Sequence, residues 1–220
     1  MRIAVVAHPS TLRPRPFSDG PLAAAPVHGP DDLPDPAGVD AVVLLGGSAS
    51  VARPCGGTTS ILRWCEDVLR AAVPALGICL GAQMLCVAGG GRVASLSRTH
   101  VRVREVGAWE PLPGPDLPRT AHFWHGDAMT PPAGSKVAVS PTGHADAFVL
   151  PGGTAVGVQF HPETDRIGWY GLQAEHRPDA PPVPYCDVSA GRGRRFVDAF
   201  LAGVTPVSVR TDATEIRAVA

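Results

Sequence analysis

The string Leu76-Gly77-Ile78-Cys79-Leu80-Gly81-Ala82-Gln83 constrains this chain more than any other part of it. It follows an apolar run and sets glycines two residues before and two residues after a cysteine. Glycines there let neighbouring backbones approach closely around a sharp strand-to-helix turn, a G-x-C-x-G elbow that strains its central residue. Such an elbow predicts a buried strand over 73–78, a helix from Leu80, and Cys79 at the C-terminal edge of a sheet. Upstream, the apolar run 39–45 predicts another strand. Ile61, Cys65, Val68, Leu69 and Ala72 repeat at helical spacing behind Thr58, Thr59 and Ser60, which predicts a helix over 59–72. Strand, helix, strand, helix is an α/β pattern: an open, mostly parallel sheet flanked by helices.

Further β-branched runs at 2–7, 101–106, 136–140 and 155–160 predict strands. Between 91 and 160 the strand signals follow one another without a helix signal, so a mixed or partly antiparallel extension is expected there. The segment 8–38 is proline-rich and its Leu22–Ala25 run is too short for an ordinary crossover helix, so the first crossover should be irregular. Arg177 to Pro184 is proline-rich again, a short helix is predicted over 194–202, and 205–220 reads as a loosely held tail. The 220 residues, 45% of them hydrophobic, suit one core. The expected organisation is a single domain over 1–203 with a C-terminal tail, 204–220.

Nineteen Lys and Arg against twenty Asp and Glu leave no basic field for a nucleic acid. No apolar run approaches the roughly 20 residues of a membrane span. Met1-Arg2 leads straight into a strand without a cleavable leader, so a cytoplasmic setting is expected. Five cysteines without a C-x-x-C pair suit neither a disulfide framework nor a zinc ribbon. Cys55, Cys65, Cys86 and Cys186 read as buried structural thiols.

Cys79 reads differently. A helix N-terminus beside it offers free N–H groups and partial positive charge, which favour thiolate. Such a nucleophile needs a base, and Gln159-Phe160-His161-Pro162-Glu163 supplies one at the end of the last strong strand. Pro162 biases His161 toward extended backbone, in which residues two apart share a side, so Glu163 is placed to orient the imidazole. Attack on a carbonyl develops an oxyanion. Gly47 in Leu45-Gly46-Gly47-Ser48 offers a backbone N–H that with Leu80 N–H would form a two-donor hole, although the dipeptide alone reads equally as an ordinary strand-ending turn. His122 and His125 resemble a metal-ligand pair in spacing, but they point to opposite faces of an extended strand and lack a further ligand, so no metal is assigned.

With these strings in their order, the chain resembles the class I (triad) glutamine amidotransferases, and most of all the glutaminase part of GMP synthetases. The resemblance covers about residues 39–163: Val42 to Ser48, Pro74 to Gln83, Trp124-His125-Gly126-Asp127, and Gly157 to Glu163. It implies a flavodoxin-like sheet and a Cys79-His161-Glu163 triad that releases ammonia from L-glutamine through a γ-glutamyl thioester, with no cofactor. It further implies that Gln83 and the Trp124, Gly126 and Asp127 segment contact the substrate. The chain departs from the family at Arg98-Thr99-His100-Val101, where many relatives have a Glu-hydrophobic-Gly element, at Asp146-Ala147-Phe148, where Gln-Ala-Phe is commoner, and in a long, irregular 164–190 segment.

Only 57 residues follow Glu163 and no G-x-x-x-x-G-K-[ST] loop occurs, so the expected partner is an ATP-dependent synthetase or amidoligase on a separate chain. The same triad also suits a stand-alone hydrolase or transferase of γ-glutamyl or related amides. A non-catalytic binding descendant is the third reading, against which the intact triad argues.

Overall fold

The computed structural model describes residues 1–11, 17, 19–107 and 117–204. Four short apolar runs become strands buried along their whole length: β1 (Ile3–Val6), β3 (Ala41–Leu44), β4 (Ala75–Ile78) and β9 (Ala155–Val158). All four are parallel neighbours in the order β1, β3, β4, β9. A two-residue strand, β2 (Val27–His28), extends the sheet beyond β1. On the other side β8 (Ala145–Val149) and β7 (Lys136–Val139) add antiparallel strands, giving the order β2-β1-β3-β4-β9-β8-β7.

Period-two alternation divides each central strand between two cores. Ile3 and Val5 join Val43, Leu76, Ile78 and Val158 on one face, against Phe123, Phe196 and Phe200. Ala4 and Val6 join Val42 and Leu44 on the other, against Ile61, Trp64, Cys65 and Val68 of α2 (Gly56–Arg70) and Leu80, Met84 and Leu85 of α3 (Leu80–Ala88). Phe196 and Phe200 come from α5 (Asp187–Ala202). Among the described residues of the first crossover, the one α-helix is α1 (Gly20–Ala23), four residues long, in keeping with the irregular path expected from the prolines. From β1 the chain runs outward to β2 and then back to β3, which opens a crevice at the strands' C-terminal ends where ligands of open α/β sheets are commonly held.

The 101–106 run is the second half of a longer strand, β5 (Arg92–Glu105), which pairs antiparallel with β6 (Thr120–Thr130) in a separate two-stranded sheet. Its register breaks between Ser95 and His100, so the segment carrying Arg98 bulges out of the ladder. β6 and β8 lie outside the expected strands. Their alternation is masked because both bury residues on both faces. The 164–190 segment is not wholly irregular, since it contains α4 (Arg166–His176), capped by Asp165 Oδ1 accepting the Gly168 N–H at 2.6 Å. The last helix begins at Asp187, not 194. The expected tail lies outside the described residues from 205 onward.

Two cysteine readings need correcting: Cys55 is exposed and Cys186 half-buried, each at a helix N-terminus. Cys65 and Cys86 are buried. Burial raises both thiols, Cys86 to about 11. Among the described residues no helix is long and apolar enough to cross a membrane.

The aspartate at 146 has a structural account. It is buried on β8, Arg104 of β5 grips both its oxygens at 2.6 Å, and the Gly107 N–H adds a third bond at 2.9 Å. The Arg104 guanidinium also lies 3.7 Å from the centre of the Phe123 ring. Removing one partner strands the other charge, so Asp146→Ala should destabilise the fold by about 3 kcal/mol, read as a lower urea midpoint.

Candidate active site

At the end of β4 the chain turns directly into α3, and the residue at the turn is Cys79, with φ 49° and ψ −104°. A non-glycine residue at positive φ is held there only by its surroundings. Cys79 N–H donates to Val158 O at 2.8 Å, and Cys79 O accepts the Gln83 N–H at 3.0 Å. A Cβ on Gly81 would lie 2.4 Å from Leu44 O, and one on Gly77 would lie 2.6 Å from Ala82 N. The two glycines are therefore what let β3, β4 and α3 close around the cysteine.

His161 and Glu163 follow β9, next to β4, so the His161 ring comes beside Cys79 across one strand spacing, with Glu163 behind it. His161 Nδ1 is 2.7 Å from Glu163 Oε1, and both side chains are about nine-tenths buried. The other ring nitrogen, Nε2, is 3.3 Å from Trp124 O. Both nitrogens thus face acceptors, which suits a doubly protonated ring. Burial alone would lower the imidazole, but the Glu163 carboxylate and the nearby Cys79 sulfur override it and hold His161 well above its ordinary value. The sulfur itself donates to Trp124 O at 3.3 Å and accepts from Gln159 Nε2 at 3.5 Å. β6 brings the Trp124 carbonyl to this place through a bridge from Phe123 to Phe160 and a 2.8 Å bond from His161 N to His122 O.

Gly46 and Gly47 follow β3 and cover the elbow. A Cβ on Gly46 would fall 2.9 Å from His161 Cε1 and 3.4 Å from Cys79 Cβ, so this segment touches the cysteine and the histidine together. Leu80 N–H is a first-turn helix donor without an intrahelical acceptor. Neither it nor Gly47 N–H has a hydrogen-bond partner among the described residues. The loop after β1 fixes the Gly46–Gly47 peptide: Thr11 Oγ1 donates to Gly46 O at 2.7 Å, and Ser10 Oγ accepts the Ala49 N–H at 2.9 Å. Ser10 is braced in turn by His8 Nδ1, 2.8 Å from its hydroxyl. The sequence reading missed Ser10 and Thr11 because they sit in a proline-rich segment without a motif.

Two cavities meet at Cys79 and Trp124. One, of about 90 Å³, lies toward Thr11, Leu45, Glu163 and Leu172. The other, of about 510 Å³, is lined by Gln83, Ser95 to Thr99, Trp124, Gly126 and Asp127. Gln83 is buried at its edge, donating to Gln159 Oε1 at 3.4 Å, and Asp127 Oδ2 accepts the Ser50 hydroxyl at 2.6 Å. His122 and His125 do not converge. The His122 ring stacks on Tyr185 and accepts Cys186 N–H at 3.1 Å, whereas His125 Nδ1 bonds Asp127 O at 2.8 Å. Burial lowers both imidazoles to about 4. Among the described residues no group of three or more His, Cys, Asp or Glu is placed to hold a metal ion.

A family model for class-I glutamine amidotransferases matches residues 25–166. A GMP synthase of Parafrankia sp. is 36% identical over 132 residues, 56% of this chain and 23% of that protein. One of Mycobacterium marinum is 35% identical over 180 residues, 78% of this chain and 31% of that protein. The chain thus spans less than a third of the length of these relatives. Among solved structures, a glutamine amidotransferase from Methylobacillus flagellatus superposes with a TM-score of 0.69 at 19% identity, covering 94% of this chain and 96% of that one. A putative GMP synthase subunit from Thermoplasma acidophilum gives 0.63 at 19% identity, covering 99% and 98%. The structural likenesses establish the shared fold.

The raised His161 value links stability to pH. The folded ring binds its proton more tightly than the unfolded one, whose value is about 6.5. This contribution is complete below about pH 6.5 and is lost as pH rises through the folded value. Glu163→Gln removes the carboxylate, so its urea midpoint should fall less than that of the unaltered protein between about pH 6 and pH 9.

Proposed function

Because the chain belongs to the class I glutamine amidotransferase family, we propose that it hydrolyses the side-chain amide of L-glutamine with Cys79, His161 and Glu163. The observation that carries this reading is the strained Cys79 at the head of α3, whose sulfur meets the Trp124 carbonyl together with an imidazole that Glu163 holds at 2.7 Å. The Cys79 thiolate attacks the amide carbon and its C=O pair moves onto oxygen. Gly47 N–H and Leu80 N–H receive that oxyanion, and His161 gives its proton to the nitrogen as the C–N bond breaks. Ammonia leaves and a γ-glutamyl thioester remains. Water then adds to the thioester carbonyl, His161 takes its proton, and the C–S bond breaks to release glutamate and restore the thiolate.

In this reading Gln83, Trp124, Gly126 and Asp127 line the side from which the amino-acid end enters. Support comes from the larger cavity, which they border together with Cys79. The ammonia goes to an ATP-dependent synthetase, a partner suggested by relatives named GMP synthase, of which this chain matches less than a third. The setting is cytoplasmic, where free thiols persist. Neither metal nor cofactor enters any step.

Cys79→Ala should abolish glutamate release from L-glutamine with the urea midpoint held, and an electrophilic glutamine analogue should add one equivalent of mass to the unaltered chain and none to the variant. Turnover that survives Cys79→Ala would reject the nucleophile. Thr11→Val should lower kcat about tenfold at constant KM, because the Gly46–Gly47 peptide loses its anchor while the cavity stays intact.

A further inference from the structure

A third cavity, of about 530 Å³, opens between α5 and the residues that lead into β6, and it shares no residue with the two that meet at Cys79. Its walls carry three guanidiniums, those of Arg119, Arg192 and Arg195, and among the described residues no carboxylate borders it. The whole chain has nineteen Lys and Arg against twenty Asp and Glu, so this groove is not an average piece of its surface. Arg119 meets Glu105 at 3.2 Å, but both partners are exposed and the pair holds little. The side chains of Arg192 and Arg195 make no ion pair or hydrogen bond among the described residues. Three like charges around one space repel, and the fold places nothing there to offset them.

The walls are set by packing. Arg192 and Arg195 lie three residues apart on α5 and share a face, which Ala199 continues. Phe196 is buried beneath them with its ring 6.1 Å from that of Phe160, and a Cβ on Gly193 would lie 2.8 Å from Pro162 Cα. α5 is thus seated closely on the segment that carries Phe160 and Pro162. Opposite, Leu117 and Pro118 give an apolar floor beside Arg119. The Thr120 and Ser189 hydroxyls meet at 2.8 Å and tie one wall to the other. The groove is therefore formed in advance, without a ligand to order it.

We propose that this groove binds a phosphate monoester with an apolar body. A carboxylate is matched by one bidentate guanidinium, whereas a phosphate dianion offers three oxygens and two charges to several. The apolar floor gives such a body surface to bury, which an inorganic anion would leave uncovered, and the volume suits a small organic molecule. A nucleic acid would call for exposed aromatic platforms along a charged track, and the one aromatic residue bordering the groove, Phe196, is buried. The site is separate from Cys79, so the proposal does not rest on the glutaminase reading.

The test is calorimetric titration of the full chain at about pH 8, where the monoester is a dianion, with phenyl phosphate, inorganic phosphate and benzoate. Phenyl phosphate should bind about 10-fold more tightly than either of the others. Arg192→Gln combined with Arg195→Gln should weaken it about 10-fold to 100-fold, and Arg192→Lys with Arg195→Lys should keep part of the affinity. Arg63→Gln, at an exposed arginine of α2, controls for net charge and should leave binding unchanged. Because α5 and the approach to β6 both wall the groove, saturating phenyl phosphate should raise the unfolding temperature of the unaltered chain but not of the double Gln variant. Absence of binding, an affinity unmoved by the double Gln change, or an equal loss in Arg63→Gln overturns the proposal. Inorganic phosphate or benzoate binding as tightly as phenyl phosphate overturns it too, the first by removing the apolar body and the second by removing the phosphate. In each of these cases glutamate release by Cys79 stands or falls on its own assay.

Discussion

The positive φ of Cys79 is the constraint on which the rest of the site depends. Strain of that kind costs about 1–3 kcal/mol and persists only where neighbouring structure holds it. Here the hydrogen bonds of Cys79 N–H to Val158 and of Gln83 N–H to Cys79 tie the turn to β9 on one side and to α3 on the other. The glycines at 77 and 81 remove the side chains that would keep β3, β4 and α3 apart. The sulfur is thereby lifted beyond the sheet edge, into the crevice where the ends of the parallel strands gather.

What gathers there comes from distant parts of the chain. β1 leads to Ser10 and Thr11, β3 to Gly46 and Gly47, β4 to Cys79, and β9 to His161 and Glu163, all from neighbouring C-terminal strand ends. Parallel pairing is what makes this possible, because it brings like ends together whatever their separation in sequence. β6 lies outside that sheet and supplies the Trp124 carbonyl, which faces both the sulfur and the imidazole at 3.3 Å. That carbonyl gives Nε2–H an acceptor. With Glu163 on the other nitrogen, the ring is supported as an imidazolium from both ends.

Much of this was legible in the sequence because the signals are local. The elbow is written in two glycines around one cysteine. The His161 and Glu163 pairing follows from the extended backbone that Pro162 imposes, and the parallel core follows from fully apolar runs. The less legible parts depend on tertiary context. β6 buries both faces, so its histidines and aromatics show no alternation. Helix α4 buries only Gly168, Trp169 and Gln173, too sparse a stripe to register as amphipathic against the prolines that follow. Thr11 matters through one hydroxyl bond to a peptide from another strand, and no local pattern marks such a contact.

The charges at Asp146 and Arg98 meet two different physical fates. Asp146 is a buried charge, but Arg104 on the neighbouring hairpin meets it with two bonds and Gly107 N–H with a third, so that charge is neutralised within the fold. Arg98 lies in the register break of β5, where the ladder no longer fixes its neighbours, and it borders the cavity without an ion pair among the described residues. A charge that the fold absorbs changes packing, whereas a charge left bordering a cavity beside Cys79 changes what that cavity attracts.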